Sequence, residues 1–404
     1  MKCILFIADA VRPDYLGCYG DTAANTPAID RLAANGVRFQ TVISAAPWTA
    51  PSTASIISGI YAYKHQIFTW DRGLPGAAYT LFHAFADNGH AAASFVFDRQ
   101  FLFSAMPFAR VQGNTGDFER ALNWLAAHAR QDFFLLIHSW ATHMPYNVHH
   151  AARKEWKAAK TLFIHRLQTG GEEAAQESRA AYRRAIEYSD GYQIARLMDH
   201  LAKAGIADDT LFIFMADHGE SWGERFADKS HIRGIHHLHG RFLYDDTLRV
   251  PLILHWPNRL PAGAVIAPQT RTVDLAPTLL ELAGITPPAG AAPMDGTSLM
   301  LLISGAQTAP RPAISATSEH GRLSKMSLRT PPHKLILTLE PEQVELYHLP
   351  SDPAETTNLA AREPEPARRL GDQLKAELAS VTQRELTDEE AATLTGRLEQ
   401  LGYL

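Results

Sequence analysis

Two carboxylates in this sequence stand where an apolar run stops. The run Cys3-Ile4-Leu5-Phe6-Ile7-Ala8 delivers Asp9, and Leu211-Phe212-Ile213-Phe214-Met215-Ala216 delivers Asp217, followed at once by His218-Gly219-Glu220. Open α/β sheets gather ligands at the carboxyl ends of their strands, so an acid there is placed to hold a metal ion or a catalytic water. Carboxylate oxygen and imidazole nitrogen together suit divalent cations. For Asp9 alone, capping the next helix is an equally simple use. Between the two runs lies Ala46-Pro47-Trp48-Thr49-Ala50-Pro51-Ser52-Thr53, continuing to Ser58-Gly59. Its early prolines and closing glycine are the start and stop signals of a short helix. Backbone N–H groups and the helix dipole at such a start attract an anion, and Thr49 or Ser52 would lie beside it. The alternative is an ordinary threonine N-cap.

The elements that must position these residues follow from periodicity. Short apolar runs bounded by turn signals, at 3–8, 92–97, 133–139, 210–216 and 250–256, read as buried parallel strands. Between them, 116–130 carries an apolar stripe at helical spacing through Phe118, Leu122 and Leu125, and 174–204 is long, charged and periodic. Strands alternating with helices predict an α/β sandwich. After Leu302 the texture changes. Ser304-Gly305-Ala306 and the Pro310 to Pro312 stretch read as a linker, followed by a strand-like 325–339, a return at 344–349 and two charged helical stretches. The expected division is a catalytic domain over 1–305 and a small α+β subdomain over 306–404.

Composition narrows the function classes. The 404 residues are 46% hydrophobic, 20% charged and 9% aromatic, which excludes a disordered, collagen-like or coiled-coil chain. With 38 basic against 43 acidic residues the formal charge is -5, and no basic run offers a nucleic-acid footprint. Cys3 and Cys18 are too few for a disulfide framework, and a reducing compartment fits. The first apolar run is short for a signal segment and reads as a core strand. No stretch approaches the roughly 18 apolar residues of a membrane span. The expectation is a cytoplasmic protein that engages neither nucleic acid nor membrane.

Further segments stand in an order that is specific when taken together. Asp9 is followed by Arg12-Pro13-Asp14-Tyr15-Leu16-Gly17-Cys18-Tyr19-Gly20, then Thr26-Pro27-Ala28-Ile29-Asp30, Gly36-Val37-Arg38-Phe39 and Thr49-x-Pro51-Ser52. Later come His143-x-Pro145-Tyr146, Asp217-His218-Gly219-Glu220, His239-Gly240 before Leu243-Tyr244-Asp245, Val250-Pro251-Leu252 and Val273-Asp274-x-x-Pro277-Thr278. The C-terminal Glu345-Leu346-Tyr347, Asp352-Pro353 and Asn358-Leu359-Ala360 complete the series. Almost end to end, the chain resembles the sulfatase family of the alkaline phosphatase superfamily. The resemblance implies a central, mostly parallel sheet between helices. It also implies a metal site of Asp9, Asp217 and His218, with Thr49 at the nucleophile position bridging metal and substrate. His143 and His239 match positions that contact the transferred group or protonate the leaving oxygen. A solvated loop is the alternative for the cluster His231, His236, His237 and His239, of which only His239 stands in a matching motif.

Three departures change the chemistry that this resemblance implies. Type I sulfatases carry Cys or Ser at the nucleophile, oxidised to formylglycine, with Arg four residues on; here these are Thr49 and Thr53. A secondary alcohol cannot give that aldehyde, so Thr49 resembles the Thr-type transferases and phosphodiesterases of the superfamily more closely. Ala10 stands where a second Asp often follows the first, and Asp190 lacks the later His of two-zinc phosphodiesterases. One divalent metal is therefore expected, Mn²⁺ or Zn²⁺ ahead of Ca²⁺ or Mg²⁺ because a His is among its ligands. Ser52 is expected on the substrate side, and Lys64, Arg99, Lys229 and Arg233 are candidates to replace the missing Arg.

The reading is a metal-dependent hydrolase of small anionic phosphate or phosphonate mono- or diesters, working through a covalent Thr49 ester. A sulfatase without formylglycine and a non-catalytic metal-binding relative are the alternatives. Specificity is assigned to loops 99–115, 147–175 and 221–238, where Trp156, Trp222 and Phe226 either rim a pocket or pack.

Overall fold

The computed structural model describes residues 1–69, 72–76, 78–95, 110–111, 118–146, 153–222 and 238–381. The first apolar run forms strand β1 (Lys2–Ala8), then come β2 (Val37–Phe39), β3 (Val42–Ile43), β4 (Ala91–Phe95) and β5 (Arg110–Val111). The remaining strands of the large domain are β6 (Phe133–Ser139), β7 (Thr210–Ala216), β8 (Arg249–Val250), β9 (Leu252–His255), β10 (Ala264–Ile266) and β11 (Thr270–Arg271). Among the described residues the main sheet has eight strands in the order β10-β2-β9-β7-β1-β6-β4-β5. It is parallel except where β9 runs against β2 and β7. Strands β1, β6 and β7 are mostly apolar and almost wholly buried, as expected of strands covered on both faces.

Register is what brings the acids together. Ala8 pairs with Ala216 on one side and with Ser139 on the other. The next residue of each central strand, Asp9, Trp140 and Asp217, therefore emerges at one edge, and the Asp9 N–H donates to Ser139 O at 3.0 Å.

Two long segments break where their sequence demands it. The run expected over 250–256 divides at Pro251, which lacks an N–H and cannot continue a ladder. Strand β8 joins β3 and β11 in a small sheet, and β9 joins the main one. The helix expected over 174–204 comprises helices Gly171–Tyr188 and Ala195–Lys203, joined by a π-helical turn, Ser189–Ile194. Asp190 in that turn accepts from the N–H groups of Ala28 and Ile29 at 3.1 and 2.7 Å, so it caps helix Pro27–Ala34. The other helix, expected over 116–130, spans Phe118–His128.

The C-terminal sheet is antiparallel, in the order β12 (Ala313–Glu319), β13 (Arg322–Thr330), β14 (His333–Thr338) and β15 (Gln343–His348), with helix Pro364–Ala379 against it. The single strand expected over 325–339 divides at Pro331-Pro332 into parts of β13 and all of β14. The 304–312 stretch, expected as a linker, is docked: Arg311 is buried and donates to Thr297 O and Ser298 O at 2.6 and 2.9 Å. The last charged stretch, after residue 381, lies outside the described residues. No helix among the described residues is long and apolar enough to cross a membrane.

This small sheet buttresses the large domain. The Ala316 N–H donates to Ala45 O at 2.9 Å and Ser315 Oγ to Ser44 O at 2.6 Å, just before the helix that starts at Thr49. Thr317 Oγ1 donates to Gly240 O, beside His239. Lys334, fully buried on β14, lies 2.8 Å from both Asp245 and Glu355, while Arg329 pairs with Asp245 at 2.9 Å. Removing Lys334 strands the buried Glu355 carboxylate without its cation. Lys334→Met should therefore destabilise the protein by about 3–5 kcal/mol in urea denaturation. Lys375→Met, which loses only an exposed pair with Glu342, should change it by less than about 1 kcal/mol.

Candidate functional site

At the carboxyl edge of the main sheet, Asp9, Asp217 and His218 are wholly buried, and one ligand atom from each lies within 4.8 Å of the others. The turn after β7 aims them. His218 Nδ1 lies 2.8 Å from Gly219 O and donates to it, which leaves the Nε2 lone pair facing the acids. Gly219 is required by close approach, since a Cβ there would stand 2.1 Å from Asp246 O. Thr49 opens helix Thr49–Ser58 with Trp48 as the N-cap, so its hydroxyl is not used as a cap. Thr49 Oγ1 instead lies 3.2 Å from His218 Nε2 and 3.3 Å from Asp9 Oδ2.

The electrostatics of this cluster are unbalanced without a cation. Burial acts to raise both carboxyl pKa values. For Asp9 the charges of Asp217 and Glu220 act the same way and leave it well above the usual carboxylate range. Asp217 is held below that range against burial by His218, by His138 and by the Ala10 N–H. Burial lowers His218, keeping the imidazole neutral and able to coordinate. Asp9 Oδ1 is buried and has no hydrogen-bond partner. An orphaned carboxylate oxygen, a second carboxylate and an imidazole lone pair fit a divalent cation.

A layer of histidines lies over the cluster. The His239 ring centroid is 4.7 Å from that of His218 and 5.7 Å from that of His143. His143 stacks on Trp140 at 4.5 Å and donates from Nδ1 to Met144 O at 2.6 Å. Burial, then the charges of His239 and Lys160, hold it well below the ordinary histidine range. His239 Nδ1 lies 2.7 Å from Glu220 Oε1, and the Gly240 N–H donates to Pro47 O at 2.9 Å, tying this turn to the start of the Thr49 helix.

The structure thus gathers Asp9, Thr49, His143, Asp217, His218 and His239 into one site. The Ser52 hydroxyl, expected on the substrate side, donates to Asp217 O at 2.6 Å and meets Ser44 Oγ at 2.9 Å, pinning the helix to the strand end. The Lys64 ammonium, a candidate to replace the missing Arg, pairs with Asp295. Glu220, third in the acid-rich turn, engages His239 and Tyr146 and is not part of the cluster. Trp222 is buried against Tyr146 and Tyr182 and packs. Arg99, Phe226, Lys229, His231, Arg233, His236 and His237 lie outside the described residues, as does the side chain of Trp156.

The sequence reading missed His138. Its Nε2 lies 3.2 Å from Asp217 Oδ2 and 3.6 Å from Asp9 Oδ2. The available signal was an imidazole directly after the apolar run Phe133–Ile137, within the same strand. Lys160, a buried cation near His143, had no comparable signal.

Comparison with known proteins bears on this geometry. A family model described as Sulfatase matches residues 2–116 and 117–285, and one described as the C-terminal part of N-sulphoglucosamine sulphohydrolase matches 234–384. An ulvan-active sulfatase of Formosa agariphila is 27% identical over 75% of this chain and 57% of its own length. The choline-sulfatase of Rhizobium meliloti is 33% identical over 47% of this chain and 34% of its own. The chain therefore spans about half or less of these relatives. Among solved structures, one bound to D-glucosamine-2-N,6-O-disulfate superposes with a TM-score of 0.75 at 18% identity, covering 94% of this chain and 98% of the other. The phosphonate monoester hydrolase of Agrobacterium radiobacter does so with 0.71 at 20%, covering 96% and 98%. At these identities the likeness shows the fold.

Elemental analysis of the purified chain should find a bound divalent ion that Asp217→Ala abolishes. Chelation should lower the melting temperature of the wild type and leave that of the variant unchanged. His138→Ala should weaken metal affinity by about 10- to 100-fold in titration calorimetry, as expected for a residue that orients a ligand.

Proposed function

The chain belongs to the sulfatase family, and from that membership we propose that it is a divalent-metal-dependent hydrolase of small anionic esters with Thr49 as covalent nucleophile. The observation that carries this reading is the Thr49 hydroxyl, buried at the first turn of a helix within 3.3 Å of both an acid and an imidazole of the cation cluster. Asp9, Asp217 and His218 would hold the metal. When bound, the metal would favour the ionised Thr49 oxygen and neutralise charge on the group under attack.

The chain's own residues supply the rest. The Thr49 oxygen attacks phosphorus or sulfur in line with the leaving oxygen, and the N–H groups of its helix support the anionic group. His239 or His143 gives the leaving oxygen its proton, and water then hydrolyses the Thr49 ester. We favour phosphate or phosphonate esters because Thr49 is a plain alcohol and cannot become formylglycine. The second reading, a sulfate ester, is favoured by the sulfatase names of the curated relatives.

The test is a panel of an aryl sulfate, a phosphate monoester, a phosphate diester and a phosphonate monoester, offered to metal-reconstituted protein. Thr49→Ala should lose at least about 1000-fold in kcat on whichever ester is turned over. Acid-quenched wild type should carry the transferred group by intact mass, located at Thr49. Turnover of the sulfate alone would replace the phosphoryl reading, and near-native turnover by Thr49→Ala would remove Thr49 from the nucleophile's role.

A further inference from the structure

We infer that Lys325 and Arg241 form an anion subsite where the C-terminal sheet meets the His239 turn, and that it selects esters whose leaving group carries a second negative charge. The leaving group enters from the hydrolase reading above, whereas the anion subsite follows from the two cations alone. Strand pairing aims Lys325. Thr317 on β12 and Lys325 on β13 are direct partners in the antiparallel sheet, so their side chains leave the same face. The Thr317 hydroxyl donates to Gly240 O, and that face is therefore the one turned toward the His239 turn. The Lys325 ammonium lies 5.2 Å from the centroid of the Phe242 ring, and the Arg241 guanidinium lies 5.9 Å from the same centroid. Both cations thus border the turn whose His239 ring stands 4.7 Å from that of His218.

Elsewhere on this sheet buried cations are neutralised at contact. Lys334 lies 2.8 Å from Asp245 and from Glu355, and Arg329 lies 2.9 Å from Asp245. Lys325 is half-buried and Arg241 exposed, and among the described residues neither has a carboxylate at ion-pairing distance. Burial pulls the Lys325 pKa down; Glu345 and Glu319 counter this, and Arg241 adds to it. Glu345 is engaged elsewhere, since its Oε2 accepts from the hydroxyls of Tyr244 and Tyr347 at 2.8 and 2.5 Å. A half-buried ammonium without a partner forfeits part of its hydration, and a second cation at the same ring adds repulsion. An anion shared by the two offsets both costs.

The position selects the leaving group over the group that is transferred. Attack in line from Thr49 puts the leaving oxygen on the far side of phosphorus or sulfur, under the layer formed by His143 and His239. Whatever that oxygen carries extends past the His239 turn, where Arg241 follows by two residues. An anionic substituent there meets Arg241 and Lys325, and charge-assisted bonds to such cations are stronger than neutral ones. A neutral substituent leaves both cations as they are.

Paired probes test this without turnover. Straight-chain alkylphosphonates, from short to long, each ending in either a carboxylate or a methyl group, are titrated by calorimetry into metal-loaded protein. For at least one chain length the carboxylate-ended member should bind about 10-fold more tightly than its methyl-ended counterpart, and Lys325→Met and Arg241→Met should each bring that pair to within about 2-fold. Arg241 is exposed, so its replacement leaves the core intact, and the wild-type comparison needs no variant at all. Equal affinity of the two members at every length would overturn the subsite, as would a gain that survives both substitutions. For the ester class that is turned over, a carboxylate-bearing alkyl leaving group should give a KM about 10-fold below that of the plain alkyl one, with similar kcat, and Lys325→Met should abolish that ratio. Equal KM values in the wild type would overturn the leaving-group assignment. A wild type silent on every ester would overturn the hydrolase reading, while the phosphonate pairs would still decide the subsite.

Discussion

Two like charges forced side by side out of water dominate this molecule. Parallel register between β1 and β7 sets Ala8 against Ala216, and the residues that follow are both aspartates. Neither can move away, because each leaves a strand that is buried on both faces. The protein's own answers are partial. Asp217 receives the N–H groups of Ala10 and His218 and lies beside His138, while Asp9 keeps one oxygen without a partner. That residual imbalance makes the strand ends receptive to a cation, and the surrounding elements are organised around it.

The organisation extends far along the chain. Ser44 and Ser52 both donate to Asp217 O, so the Thr49 helix is fastened to the strand end that carries the acid. The segment before that helix is in turn held by β12, and the His239 turn by both Pro47 and Thr317. The C-terminal sheet is thus part of the scaffold of the site. Its buried Lys334 anchors it through Asp245, which follows the turn bearing His239 by only a few residues. Such rigid support matters because catalytic geometry fails when side chains drift by an ångström.

Much of this was legible in the sequence, for stated reasons. Strands such as 133–139 and 210–216 were readable because burial on both faces forces continuous apolar runs, and the acids were readable because they end them. β12 was not: Ala313-Ile314-Ser315-Ala316-Thr317-Ser318-Glu319 is made of small and hydroxyl residues whose hydrogen bonds go to other segments, a use that leaves no periodic mark. The Ser52 contact with Asp217 O was not legible for a related cause, since a hydroxyl beside a helix start serves an anion or a neighbouring carbonyl equally well. His138 was hidden because a lone imidazole in an apolar run is as consistent with packing as with a site.

The departures at Ala10, Thr49 and Thr53 are one adjustment and not three losses. Ala10 adopts a left-handed backbone, φ 57°, costly for a residue with a Cβ, and that conformation coexists with an N–H aimed at Asp217 Oδ1 at 3.1 Å. That N–H supports the ionised Asp217 carboxylate, and the alanine side chain adds no further negative charge. Thr53 is fully buried inside the helix and presents no cation. Under the proposed mechanism the site draws its cationic character from the metal and the helix N-terminus. A plain alcohol at Thr49 suits that arrangement, because its reactivity then depends on the metal cluster that the register of β1 and β7 creates.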